Sequence, residues 1–157
     1  MITRFEGEHA FLSNFYPSPF VASSYFNLGV DDEVTFPTVE HWLQAHKATS
    51  WGDFVAVLSA PTPGLAKRAG RNLSEIRPGW DEERVDVMYA GLSHKFADER
   101  LARLLVATGE EDLVEGNDWG DRYWGAVWDE AEQAWVGENQ LGLLLMYVRG
   151  ELLEQPL

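Results

Sequence analysis

Helix signals outnumber strand signals along this chain, and the sequence predicts a mainly helical α+β domain with a small antiparallel β element. Apolar residues recur at helical spacing in the stretches that follow Thr38, Asp81, Asp98 and Asn139. The strand-like pieces are three or four residues long and lie in two places, near the N-terminus and between residues 113 and 138. No repeat, low-complexity stretch or Pro/Ser/Gly linker interrupts the 157 residues, so one domain spanning the chain is expected.

In chain order, residues 1 to 37 are rich in Phe, Tyr, Pro and Ser and read as extended loops. They contain short strands around Pro19–Ala22 and Val34–Phe36, with a hairpin or surface loop over 23 to 33. Thr38 after Pro37 predicts an N-cap for a helix from Val39 to Thr49. A short helix follows over Asp53–Ala60, and Thr62-Pro63 opens a third with proline at its first position. Asp81 is expected to cap a longer helix whose Glu82 and Glu83 suit the dipole and whose Val85, Met88, Tyr89, Leu92 and Phe96 face the core. Asp98 starts the next, with Leu101, Leu104 and Leu105 inward and Gly109 past its end. Short strands around Tyr123–Trp128 and Ala134–Val136 then precede a C-terminal helix capped by Asn139, with Leu141, Leu144, Leu145, Val148 and Leu152 on one stripe.

Composition narrows the function classes. Cysteine is absent, which excludes disulfides, thiolate metal sites and a cysteine nucleophile. No apolar run reaches the roughly 20 residues of a membrane span, and Met1–Glu6 does not open a signal peptide, so a cytoplasmic protein is expected. A net charge of -14 argues against sequence-blind binding of nucleic acid, which rests on many Lys and Arg contacts. The charge is polarised: residues 110 to 139 carry ten acids against Arg122, whereas Pro63–Arg77 holds Lys67, Arg68, Arg71 and Arg77 against Glu75 alone. That basic run, beside Gly64 and Gly70, suits either a phosphate-bearing ligand or a helix face that balances an acidic surface.

At about 100° per residue, Val39, Trp42, Leu43 and His46 fall on one side of the helix after Thr38, and Glu40, Gln44 and Lys47 on the other. A carboxylate, an amide and an amine thus form one polar row, which reads either as a solvated face or as a site with Glu40 as base or cation stabiliser and Lys47 as charge or nucleophile. The stretch Glu115–Gly125 interleaves Gly, Trp and short polar residues and predicts a shaped loop, with Asp118 and Asp121 as candidate carboxylates and Trp119 and Trp124 as candidate stacking walls. Other motifs fail. His41 and His46 diverge by about 140° on a helix and do not make a His-Glu-x-x-His zinc pair. Leu143 and Leu144 stand where a P-loop after Gly137 needs Lys and Ser/Thr, and neither a Gly-x-Ser-x-Gly elbow nor a Gly-x-Gly-x-x-Gly fingerprint occurs. A serine hydrolase, a P-loop NTPase and a Rossmann dehydrogenase are disfavoured, and neither metal nor cofactor is expected.

Phe11-Leu12-Ser13-Asn14-Phe15-Tyr16, Thr38-Val39-Glu40-His41-Trp42, Gln44-Ala45-His46-Lys47-Ala48, the Thr62–Arg71 segment, Trp80, Lys95-Phe96, Asn117-Asp118-Trp119-Gly120-Asp121-x-Tyr123-Trp124-Gly125 and Gly137-x-Asn139-x-Leu141-Gly142, taken in order, resemble the YbiA-like, or NADAR, family. The resemblance runs over about residues 3 to 150, with residues 23 to 33 longer than the family minimum.

The resemblance implies an N-glycosidase of NAD and ADP-ribose metabolism, acting on riboflavin-pathway intermediates or on ADP-ribosylated guanine. It maps catalytic roles to Glu40, Lys47 and Asp121, and the Trp before the long helix to Trp80. Breaking a base–ribose bond builds oxocarbenium character, which a carboxylate such as Glu40 stabilises or relieves by activating water, while Lys47 offers a Schiff base with the ring-opened sugar. In this reading Lys67, Arg68 and Arg71 hold phosphate, Asn14 and Asn117 bond ribose hydroxyls, Trp80, Trp119 or Trp124 stack on the base, and Phe15, Gln44 and Asn139 complete the substrate contacts. The expected partner is a small ribosyl phosphate or ADP-ribosylated guanine in nucleic acid, with no membrane and no stable protein partner. Two alternatives remain: a silent ADP-ribose or nucleotide sensor using the same pocket, and an acidic interaction protein.

Overall fold

The computed structural model describes residues 1–26 and 33–155, so the expected loop over 23 to 33 falls largely outside the described residues. The chain divides into two compact units, Asn14–Lys95 and Met1–Ser13 with Phe96–Leu157. Among the described residues there are six α-helices, one 3-10 helix and five short strands, a mainly helical α+β fold.

The unit Asn14–Lys95 is built around one short helix. β1 (Phe20–Ala22) and β2 (Val34–Phe36) pair antiparallel, Phe20 opposite Phe36, and lead into α1 (Val39–Ala45). Thr38 caps α1 by accepting from His41 N. All seven residues of α1 are buried, because α2 (Trp51–Leu58), α3 (Pro63–Arg71), α4 (Trp80–Lys95) and β2 surround it. The polar row on α1 is therefore not a solvated face. Phe36 sits among Phe20, Trp42 and Phe54 with ring centroids 4.8 to 5.9 Å apart. Trp42 Nε1 donates to Val87 O at 2.8 Å, and α4 passes so close that a Cβ on Gly91 would lie 2.5 Å from Trp42 Cδ1.

Helix α1 stops at Ala45 rather than Thr49. Its last turn tightens, with Lys47 N and Ala48 N bonding to the carbonyls of Gln44 and Ala45 three residues back. Arg77 then takes the orphan carbonyls: its Nε donates to His46 O and its Nη2 to Ala48 O, and its own backbone N–H bonds Lys47 O. The second helix starts at Trp51, two residues before the expected Asp53, because Ser50 accepts from Asp53 N. Thr62 caps α3 with Pro63 at its first position, as expected. Helix α4 begins at Trp80, so Asp81 lies inside its first turn rather than at its cap; Gly79, at φ +81°, supplies the carbonyl that receives Glu82 N and Glu83 N. Its buried residues are Trp80, Val87, Met88, Gly91, Leu92 and Lys95, so Val85 and Tyr89 are only half-buried. The stripe is displaced because Trp42 and the β1 strand claim the Val87–Gly91 side.

In the other unit, the 3-10 helix Gly7–Leu12 buries Phe11 and Leu12 where only extended chain was expected. Gly7 enters it at φ +61°. Asp98 caps α5 (Glu99–Ala107) through Leu101 N; Leu101 and Leu105 are buried, but Leu104 is exposed. β3 (Gly116–Asn117) pairs parallel with β4 (Ala126–Asp129), and β5 (Ala134–Val136) pairs antiparallel with β4, so the sheet is mixed. Trp128 lies opposite Trp135 with rings edge to face at 5.5 Å. Helix α6 (Gln140–Glu154) packs on α5, and its buried Arg149 donates to Thr108 Oγ1 and Glu111 O beyond the α5 end.

Asn139 precedes α6, but its side chain does not cap that helix. At φ 52° the residue is left-handed and turns its amide away, so that Oδ1 accepts from Glu115 N and Nδ2 donates to Leu113 O. No helix among the described residues is long and apolar enough to cross a membrane.

Candidate active site

Helix α1 and its turn carry the candidate site of the Asn14–Lys95 unit. Glu40 lies in the first turn, where its backbone N–H donates to Asn14 O at 3.1 Å and its carboxylate gains from the helix N-terminus. Its side chain is buried, at 6% exposure, and Oε1 accepts from Gln44 Nε2 at 2.8 Å. Lys47 stands just past the helix. Burial pulls its ammonium below the ordinary lysine range; the Glu40 charge opposes this, and Arg71, Lys67 and Arg84 add to it in that order. One acid and four cations from α1, α3 and α4 thus form a single electrostatic cluster.

The predicted residues distribute unevenly over this cluster. Lys67 and Arg71, four apart on α3, both act on Lys47, whereas Arg68, exposed like Arg71, is not among the charges felt there. Lys67 Nζ also lies 6.0 Å from the centre of the Phe15 ring, so the loop after Asn14 meets the basic face of α3. Asn14 is buried; its Nδ2 reaches Met88 Sδ at 3.4 Å, and its Oδ1 has no hydrogen-bond partner. Gln44 faces Glu40 and Gly70. Trp80 is buried at the start of α4. His41 of α1 and His46 at its C-cap are both held in internal hydrogen bonds: His41 Nε2 donates to Ala60 O while Nδ1 pairs with Thr38 Oγ1. His46 accepts from Tyr25 N at Nε2 and donates from Nδ1 to Trp42 O. Burial lowers the His46 imidazole to about 4, so it is neutral.

The other predicted residues lie in the second unit. Asn117 is buried, and its amide is committed to backbone: Nδ2 donates to Asp121 O and Ala126 O, and Oδ1 accepts from Asp121 N. Asp121 Oδ1 accepts from Tyr123 N and Trp124 N, closing the turn before β4. The loop fits only because Gly125 has no side chain, since a Cβ there would lie 2.1 Å from Glu115 O. Trp124 packs edge to face on Tyr123, and Asn139 braces the strand before β3 as described. Trp119 is 62% exposed and lines, with Phe5, Asn117, Asp118, Trp128 and Trp135, a cavity of about 400 Å³ in this unit.

Residues 3–153 match the family described as the NADAR domain. The chain belongs to the NADAR family. Among relatives, N-glycosidase YbiA of Shigella boydii is 36% identical over 123 residues, covering 77% of this chain and 73% of that protein. The riboflavin biosynthesis protein PYRR of Zea mays is 36% identical over 134 residues, which are 78% of this chain but only 20% of the maize protein. A riboflavin biosynthesis protein of Vibrio vulnificus is 34% identical over 148 residues, 93% of this chain and 36% of its own length. The NADAR chain thus spans about a fifth to a third of those two proteins. The solution structure of Escherichia coli YbiA superposes with a TM-score of 0.76 at 30% identity, covering all of this NADAR chain and 90% of that one.

Two basic residues of the Asn14–Lys95 unit of this NADAR chain escape sequence reasoning. Arg84 bears on Lys47 from α4, yet its neighbours Asp81, Glu82, Glu83 and Asp86 make the segment look like ordinary acidic surface. Lys95 is buried at 1% exposure beside the Tyr16 ring, 5.8 Å away, and burial lowers its ammonium to about 7. Its place seven residues after Met88 on α4, hence on the same face, is the signal that points inward.

Proposed function

We propose that the protein is an N-glycosidase that hydrolyses the base–ribose bond of a phosphorylated ribosyl substrate. One observation carries the reading: a buried carboxylate, Glu40, and a half-buried amine, Lys47, share one charge cluster with Lys67, Arg71 and Arg84. The names of the YbiA and riboflavin-biosynthesis relatives support the reaction class.

In this account the basic groups bind the substrate phosphate, which favours Lys67, Arg71 and Arg84, the cations that act on Lys47, over Arg68. The unmet Asn14 Oδ1 accepts from a ribose hydroxyl. As the bond between the anomeric carbon and the base nitrogen breaks, its electron pair leaves with the base and positive charge builds on the sugar. Glu40 stabilises that charge and takes a proton from the attacking water, whose oxygen bonds to the anomeric carbon; the departing base nitrogen takes up a proton from solvent. Lys47, whose ammonium burial makes easier to deprotonate, is suited to condense with the aldehyde of the ring-opened sugar, losing water to give an imine that water later reverses. Asn117 and Asp121 shape the loop between β3 and β4.

The test is to incubate the protein with ADP-ribosylated guanine in DNA, a pyrimidine riboside phosphate of the flavin pathway, and NAD, and to look for released base or ADP-ribose by mass spectrometry. Turnover of one class supports the reading and names the substrate; hydrolysis of none of the three overturns it.

A further inference from the structure

We propose that Gln44 is a positioning residue for the Glu40 carboxylate, clamped onto it by the missing side chain of Gly70 on the facing helix. The proposal rests on the reading of Glu40 as the acid that acts at the ribosyl centre.

Gln44 and Glu40 are four residues apart on α1, and on an exposed helix such a pair is a weak, water-exchanged contact. Here both side chains are buried, at 4% and 6% exposure, and Nε2 lies 2.8 Å from Glu40 Oε1. Helix α3 crosses close to the amide. A Cβ on Gly70 would fall 2.0 Å from Gln44 Oε1, 2.9 Å from Cδ and 3.0 Å from Cβ, so the side chain occupies the space that the bare Gly70 backbone leaves open.

The polarity of the pair matters as much as its fit. Gln44 Oε1 is buried without a hydrogen-bond partner. Rotating the amide by half a turn would set that oxygen against the carboxylate, which is tolerable only if Glu40 carries a proton. The observed orientation therefore favours the ionised carboxylate and engages its Oε1. A glutamine kept for packing alone gains nothing from burying an unmet carbonyl, and methionine would fill the same volume. The arrangement is explained if the amide donor is there to hold and charge the acid.

The test compares Gln44→Met, which keeps the volume and removes the donor, with Gly70→Ala, which keeps the donor and pushes it away. With glutamate labelled at the side-chain carboxyl carbon, NMR follows the titration of Glu40, identified by the signal lost in Glu40→Gln. Removing a donor from a carboxylate disfavours its charged form. Both variants should raise the Glu40 midpoint by about one pH unit, and the double variant should go no further than the larger single effect, because both act through one contact. With an active substrate, the acidic limb of the kcat/KM profile should move up in step. An unmoved midpoint in Gln44→Met overturns the proposal, as does full additivity in the double variant. Should Gly70→Ala fail to fold, Gln44→Met decides alone. Full turnover by Glu40→Gln would instead overturn the catalytic reading, an outcome distinct from the carboxyl titration, which needs no substrate.

Discussion

The Glu40 carboxylate sustains the charge of the Lys47 ammonium. Burial and the cations Arg71, Lys67 and Arg84 all push the amine toward its neutral form, and the Glu40 charge opposes them. Replacing Glu40 by Gln should therefore lower the Lys47 pKa further and make the amine reactive at lower pH. Timed labelling with an amine-selective reagent, read as the modified Lys47 peptide across pH, checks this. The half-labelling pH should fall in Glu40→Gln; an unchanged or higher value contradicts the electrostatic coupling.

Phosphate recognition divides the basic residues of α3 into two groups. Lys67 and Arg71 act on Lys47, and Arg68 does not. Losing a charged hydrogen bond costs about 1.5–3 kcal/mol, so Lys67→Ala and Arg71→Ala should each raise KM by roughly ten- to a hundred-fold. Arg68→Ala should stay within about two-fold of the parent. Steady-state kinetics at fixed ionic strength separates them, and an Arg68 effect equal to that of Lys67 would place the phosphate elsewhere.

His46 makes the Asn14–Lys95 unit acid-sensitive. Its folded pKa of about 4 lies below the ordinary 6.5, so the unfolded chain binds more protons between those values. The stability this neutral imidazole confers is complete above about pH 6.5 and is lost as pH falls toward 4, a difference of about 3 kcal/mol. Denaturant unfolding of the parent and of His46→Gln from pH 7 to 4 should show the parent losing that much more. Parallel curves would mean that the imidazole is not buried as a neutral group.

Much of the scaffold was legible because capping chemistry is local. Thr38, Thr62 and Asp98 cap the helices they were read to cap, each through a backbone N–H three residues on. Burial was harder to read. The spacing of Glu40, Gln44 and Lys47 puts them on one side of α1, but periodicity does not say whether solvent or α3 lies beyond, and the deciding residue, Gly70, is 26 positions away. The same limit hid Arg84, which reaches Lys47 from another helix. Asn139 shows the opposite failure: a good cap residue by type, it adopts a left-handed backbone and spends its amide on residues 113 and 115. Parallel pairing of β3 with β4 was invisible for a related reason, since two residues carry no alternation to read.

The most direct measurement is the turnover number of Glu40→Gln on the ribosyl substrate the protein cleaves, with folding checked by circular dichroism. The substitution keeps the volume and the neighbour of Gln44 while removing the charge that meets the developing oxocarbenium ion. The account predicts a fall in kcat of about a hundred- to ten-thousand-fold with the fold intact. A kcat within about two-fold of the parent would contradict it.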